Sequence, residues 1–174
     1  MKIIIETDRL ILRDMALTDV DDLAKVLSDR ISMKYYPEPF SRQKVIDWIE
    51  WNIKSYQSQG HGLWAVLLKP EMICIGDCGI TLQEIDGEVL PELGYHIQRE
   101  YSNKGYVSEA AKACIAYAFS ELHLETLYTY TKHDNNPSIR VALKNGMKYC
   151  KEFSKNVMGS TVKEVLYSIH RKNS

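Results

Sequence analysis

The sequence lacks any stretch rich in proline, glycine or serine and any run of one charge sign that would act as a linker, so its 174 residues read as one domain. It also lacks an apolar run near the roughly 20 residues needed to cross a bilayer, which excludes a membrane span. The short run Ile3-Ile4-Ile5 meets Glu6, Asp8 and Arg9 at once, too short and too charged for a secretion signal, so a cytoplasmic protein is expected. Net charge is almost absent: 22 basic and 23 acidic side chains leave a formal charge of -1, no footprint for nucleic acid or an anionic membrane. Cysteine is scarce. The four present, Cys74, Cys78, Cys114 and Cys150, form no C-x-x-C pair, so they read as small core hydrophobes and no metal is expected. Cys74 and Cys78, four apart in an apolar run, would share one face of a strand.

What is present has globular proportions, 45% hydrophobic and 26% charged. Residues 9–13 read as a first strand, and Thr18-Asp19 as the cap of a helix through Val20, Leu23, Val26 and Leu27. Ser41 opens a second helix over about 42–57. Residues 63–68, 72–81 and 89–98 then alternate as three strands of an antiparallel meander, with turn residues at Lys69-Pro70 and Asp86-Gly87. From about Tyr106 to Leu122 the period changes to three and four, which predicts an amphipathic helix. A strand at 126–131, a short helix at 137–145 closed by Gly146, and strands at 147–153 and 162–170 complete the chain. The expected fold is α+β: a mixed, mostly antiparallel central sheet with one β-α-β crossover and flanking helices.

The polar turn Ile97 to Tyr106 leaves a strand and opens the long helix. Unpaired N–H groups and the helix dipole favour an anion such as a pyrophosphate there, and Gly105 permits close backbone approach. The Lys-Ser or Lys-Thr pair of a nucleoside triphosphate loop is missing, which disfavours ATP or GTP hydrolysis.

Five landmarks, in order, carry a resemblance over nearly the whole chain: Thr7 to Arg13, Ile75-Gly76-Asp77-Cys78-Gly79, Glu92-Leu93-Gly94-Tyr95, Asn103 to Ala110, and Asn135-Asn136-Pro137-Ser138 through Lys144-Asn145-Gly146-Met147. Together they resemble the GNAT superfamily of acetyl-CoA-dependent N-acetyltransferases, in particular its ribosomal-protein alanine acetyltransferase branch. The resemblance implies a cofactor groove between two splayed strands, here 89–98 and 126–132. It assigns the pantetheine arm to the backbone of His96, Ile97 and Gln98. The pyrophosphate falls to the amides of Tyr101, Ser102, Asn103, Lys104, Gly105 and Tyr106. Asn135 and Ser138 match an Asn-x-x-Ser motif in which the asparagine reaches the pantetheine and the serine lies near the sulfur, although Asn135 can also simply end the strand and Asn136 cap the helix opened by Pro137. The chain departs from the family's cradle at Glu100 and Asn103, which stand where Gln or Arg and the first glycine are usual. Asn tolerates left-handed backbone, so the loop survives, while Glu100 must point away from the phosphates.

Amine acetylation needs a base for the ammonium and a donor for the departing thiolate. Glu92 matches the catalytic glutamate of several relatives and is the expected base, with His96 as a second candidate. Relatives often supply a tyrosine acid after the asparagine motif, but residues 138–145 contain none. Ser138 is then the expected donor, with Tyr128, Tyr130 and Tyr149 as alternatives. The reading is direct transfer from acetyl-CoA to an amine in a ternary complex, without metal, with the oxyanion held by a backbone N–H of residues 93–98. Residues 33–40 and the Trp48/Trp51 helix face the acceptor: a protein N-terminus, a polyamine, an aminoglycoside or an amino-acid-like amine. The competing readings are a non-catalytic acetyl-CoA-binding module of the same fold and, disfavoured by the charge, a nucleic-acid surface using Tyr101, Lys104, Tyr106 and Lys112. Monomer and homodimer both stay open.

Overall fold

Apolar alternation and β-branched residues build eight strands in a computed structural model that describes residues 2–173. They are β1 (Ile3–Glu6), β2 (Leu10–Arg13), β3 (Leu63–Leu68), β4 (Ile73–Ile85), β5 (Glu88–Ile97), β6 (Thr126–Lys132), β7 (Lys148–Val157) and β8 (Ser160–His170). The helices are α1 (Val20–Leu27), α2 (Arg42–Gln59), α3 (Tyr106–Ser120) and α4 (Asn136–Lys144). The strand order is β1-β2-β3-β4-β5-β6-β8-β7 in one open sheet, antiparallel throughout except for β5 and β6, which α3 joins as a parallel crossover. The α+β class and the crossover stand as the sequence predicts.

Local chemistry explains the element ends. Asp86 and Gly87 both take positive φ, 51° and 83°, as the tight β4–β5 hairpin requires. The Ser41 hydroxyl accepts from the Lys44 amide at 3.2 Å and caps α2. Asp19 does not cap α1 through its side chain; its carboxylate takes the Ala16 amide and both terminal nitrogens of Arg13, a buried pair. Ile3–Glu6, read from sequence only as an apolar run, pairs with β2 as an added edge strand.

Two cores sandwich the sheet. Leu12, Trp64, Ile75, Cys78, Ile80 and Leu93 pack with Ala110, Ala111 and Cys114 of α3, and Leu23, Leu27, Val45 and Ile49 of α1 and α2 pack with Ala65, Leu67 and Cys74. Cys74 and Cys78 therefore lie in different cores, contrary to strict alternation. The cause is an irregularity in the β3–β4 register, where Val66 faces Gly76 but the next residue, Leu67, faces Cys74. One extra residue on β4 reverses the side-chain parity after it. Asp77 faces the α2 side of the sheet, beside Trp48.

Candidate functional site

The crossover creates the site because β5 and β6 pair only at Glu92 and Tyr128 and then part. Beyond that point the β6-facing edge of β5 has no strand partner among the described residues, although Thr129 reaches across to donate to the Leu93 carbonyl at 2.9 Å. A cavity of about 700 Å³ opens there. One end is lined by Ile97, Ser102, Val107, Asn135 and Ser138, the other by Glu92, Thr81, Tyr130, Lys155 and Glu164.

At the first end, Gly105 (φ 81°) precedes α3 as its N-cap, and Asn103 stands at φ 59°, the left-handed geometry expected of it. The Tyr101 and Ser102 amides are spent on a 3-10 turn, donating to Gln98 and Arg99 carbonyls. Only the Asn103 to Tyr106 amides, of the six nominated from sequence, stay free of partners among the described residues. Glu100 is exposed and does not line the cavity. Gln98 does not line it either: its amide donates to Ile75, its carbonyl accepts from Tyr101, and its side chain ties the carbonyls of Asp22 and Cys74. His96 and Ile97 do line it.

Glu109 pins this end. It accepts from the Thr7 hydroxyl at 2.7 Å, the Arg9 amide at 3.1 Å and Arg9 Nε at 2.6 Å. Arg9 in turn donates to the Lys104 carbonyl at 3.1 Å and lies 4.5 Å above the Tyr106 ring. Burial works to raise the Glu109 pKa, but the bonds from Thr7 and Arg9 outweigh it and hold the carboxyl below its usual range. That stabilisation is present above the ordinary carboxylate pKa and is lost as pH falls through the lowered value. Glu109→Ala is expected to cost about 2 kcal/mol in a urea melt, as loss of charged hydrogen bonds does, and to loosen the 103–106 turn.

A cavity that opens at a β-sheet fork and reaches the residues flanking a helix start fits a pyrophosphate with a long acyl arm. The family model for the acetyltransferase (GNAT) domain matches residues 9–148. The chain belongs to the GNAT acetyltransferase family. It is 35% identical over 150 residues to YkkB of Bacillus subtilis (strain 168), covering 86% of this chain and 87% of that protein. A GNAT-family acetyltransferase from Bacillus anthracis superimposes with a TM-score of 0.80 at 30% identity, covering 95% and 97% of the two chains. The ribosomal L7/L12 α-N-protein acetyltransferase RimL, solved with coenzyme A, shares the fold at 18% identity, with a TM-score of 0.78 over 97% and 98% of the chains.

In this GNAT acetyltransferase, Asn135 accepts the Ser138 amide at 3.3 Å and donates to Thr131 at 2.8 Å, so it, not Asn136, caps α4. The Ser138 hydroxyl shares a 3.1 Å hydrogen bond with the Tyr95 hydroxyl, which also donates to the Ser138 carbonyl at 3.0 Å. Glu92 sits at the fork itself. Burial pushes its carboxyl up to about 8, against the Lys155 charge and hydrogen bonds from the Tyr130 amide and the Thr81 hydroxyl.

Sequence reasoning assigned no role to Asp77, Tyr95, Lys155 or Glu164. Asp77 and Tyr95 lay inside quoted landmarks, whereas Lys155 and Glu164 sit on the last hairpin with no motif around them. Glu164 is 7% exposed, faces the cavity and has no hydrogen-bond partner among the described residues. Lys155 donates to the Tyr130 hydroxyl at 2.7 Å. Residues 34–38, Phe40 and Trp48 line the same cavity, whereas Met33 and Trp51 do not; Trp51 stacks on Trp48 at 5.4 Å.

Proposed function

We propose that this acetyltransferase moves the acetyl group of acetyl-CoA to a primary amine, on a protein N-terminus or a small molecule, by direct attack in a ternary complex. The observation carrying this is one cavity that runs from Ser102 and Val107, which flank the free amides of the α3 turn, to the Glu92 carboxyl at the β5–β6 fork. Amides 103–106 hold the pyrophosphate, and the open β5 edge at His96 and Ile97 takes the pantetheine arm. Asn135 and Ser138 flank that arm from the start of α4. RimL, with coenzyme A bound, supports the reading of the groove.

Glu92 accepts the proton of the incoming ammonium. A carboxyl that titrates near 8 is matched to that task, and an ammonium beside it lowers its pKa again. Glu164, a second carboxyl lining the acceptor end, favours a cationic acceptor.

Calorimetric titration with acetyl-CoA and then with free CoA tests the first half. Micromolar binding of both is expected, followed by amine-dependent CoA release in a screen. Heat-silent, undetectable binding by a folded protein would remove the reading.

A further inference from the structure

Glu92 and His96 lie four residues apart on β5, so both project from the same face, and Gly94 between them carries no side chain. A Cβ there would stand 3.4 Å from Glu92 Oε2, so the slot above Gly94 is bounded by the proposed base. One side chain of the cavity lining reaches His96 from outside the sheet. The Tyr36 hydroxyl, carried in by the α1–α2 connection, lies 2.7 Å from His96 Nε2. The other ring nitrogen of His96, Nδ1, lies 2.7 Å from Asp77 Oδ1. Asp77 is 1% exposed, pairs with His96 across the β4–β5 ladder, and takes the Trp48 indole N–H at 3.4 Å on its second oxygen.

A buried carboxylate thus orients an imidazole, and the imidazole addresses a hydroxyl inside the cavity, the ordered chain of groups that proton transfer requires. The two hydroxyls of the α4 end are already bonded to each other. Resting on the acetyl-transfer reading, we propose that Tyr36 is a catalytic residue that protonates the CoA sulfur, with His96 and Asp77 as the relay behind it.

The protons balance. Glu92 passes to water the two protons that the ammonium loses as it becomes an amide. When the tetrahedral intermediate collapses, the C–S bond breaks with its electron pair on sulfur, and the sulfur takes the Tyr36 hydroxyl proton. The phenolate recovers a proton from His96 Nε2, and the imidazole regains one from water while Asp77 stays ionised. Two protons leave and one returns, so one is released per acetyl transferred.

His96 meets Asp77 from β4, the Tyr36 hydroxyl from the α1–α2 connection and the Trp48 ring from α2, with Glu92 as the nearest titratable neighbour on its own face of β5. Burial opposes the imidazolium, but the Asp77 charge and hydrogen bond outweigh it and hold the His96 pKa above its usual value. The relay is therefore loaded at low pH and emptied as pH rises through that raised value.

The test compares wild type with Tyr36→Phe and His96→Gln in acetyl-CoA titration and in CoA release, to water and to the amine that best accelerates it. Unchanged acetyl-CoA affinity in Tyr36→Phe is expected, with about 100-fold lower kcat and loss of the alkaline limb of the kcat profile in both variants. Full kcat in Tyr36→Phe, or a raised KM for the amine with kcat intact, would overturn the proposal and leave acetyl transfer standing. If wild type binds no acetyl-CoA, both readings fall together. Should His96→Gln fold poorly, Tyr36→Phe alone decides, because it removes one oxygen from an otherwise unchanged ring.

Discussion

Gly105→Glu is expected to abolish acetyl-CoA binding, raising the dissociation constant at least about 100-fold, or roughly 2.7 kcal/mol. Three effects add. The residue stands at φ 81°, where a side chain costs about 1–2 kcal/mol. Its Cβ would meet Arg9 Nη2 at 3.3 Å, disturbing the guanidinium that holds the Lys104 carbonyl. The new carboxylate would also stand at a turn where free amides and the helix dipole otherwise favour an anion. Gly105→Ala separates strain from charge: it should weaken binding about tenfold. A calorimetric titration of both variants reads the difference, and unchanged affinity in Gly105→Glu would show that the phosphates lie elsewhere.

Glu92→Gln should lower kcat by about 10²–10³-fold, the range of a lost general base, while acetyl-CoA affinity stays within about twofold. Wild-type kcat/KM should rise with pH toward about 8, where burial has moved this carboxyl, and the mutant's profile should lose that limb. Stability gives an independent reading. The folded-state pKa is raised, so ionising Glu92 costs the native state stability as pH climbs from the ordinary carboxylate range to about 8. The uncharged glutamine escapes that cost. Its urea midpoint should therefore gain on wild type over that interval and run parallel to it above. Equal turnover across the pH range would remove Glu92 as the base.

Much of the fold was legible because local and tertiary preferences agree. The three- and four-residue period of 106–120 is that of a helix with one buried face, and the Asp86-Gly87 pair allows little except a tight hairpin. The helix start at Gly105 was legible for the same reason, since residues close in sequence mark it, whereas the fork was expected only from the family resemblance. Two elements were not legible. Ile3–Glu6 becomes a strand only by pairing with β2, a contact that leaves no periodic trace in four residues. The six amides assigned to the pyrophosphate reduced to four, because the Gln98 and Arg99 carbonyls compete for Tyr101 and Ser102.

The sequence by itself determined the fold class and, through its resemblance to the family, the class of chemistry: a strand-to-helix turn with Gly105 and Asn103 able to take left-handed backbone, a glutamate on the preceding strand, and a neutral, linker-free chain that builds one mixed sheet. Only the tertiary structure decided which side chains meet. Asp77 meets His96 through the unbroken β4–β5 register that runs back to the Asp86-Gly87 turn, while the extra residue beyond Gly76 puts Cys74 on the Asp77 side of the sheet, a parity change invisible to a pattern read two residues at a time. Tyr36 reaches His96 across 60 residues of chain, and Glu164 enters the cavity from the last hairpin. Those juxtapositions come from strand register and loop packing, which are set by the whole core and by no local signal.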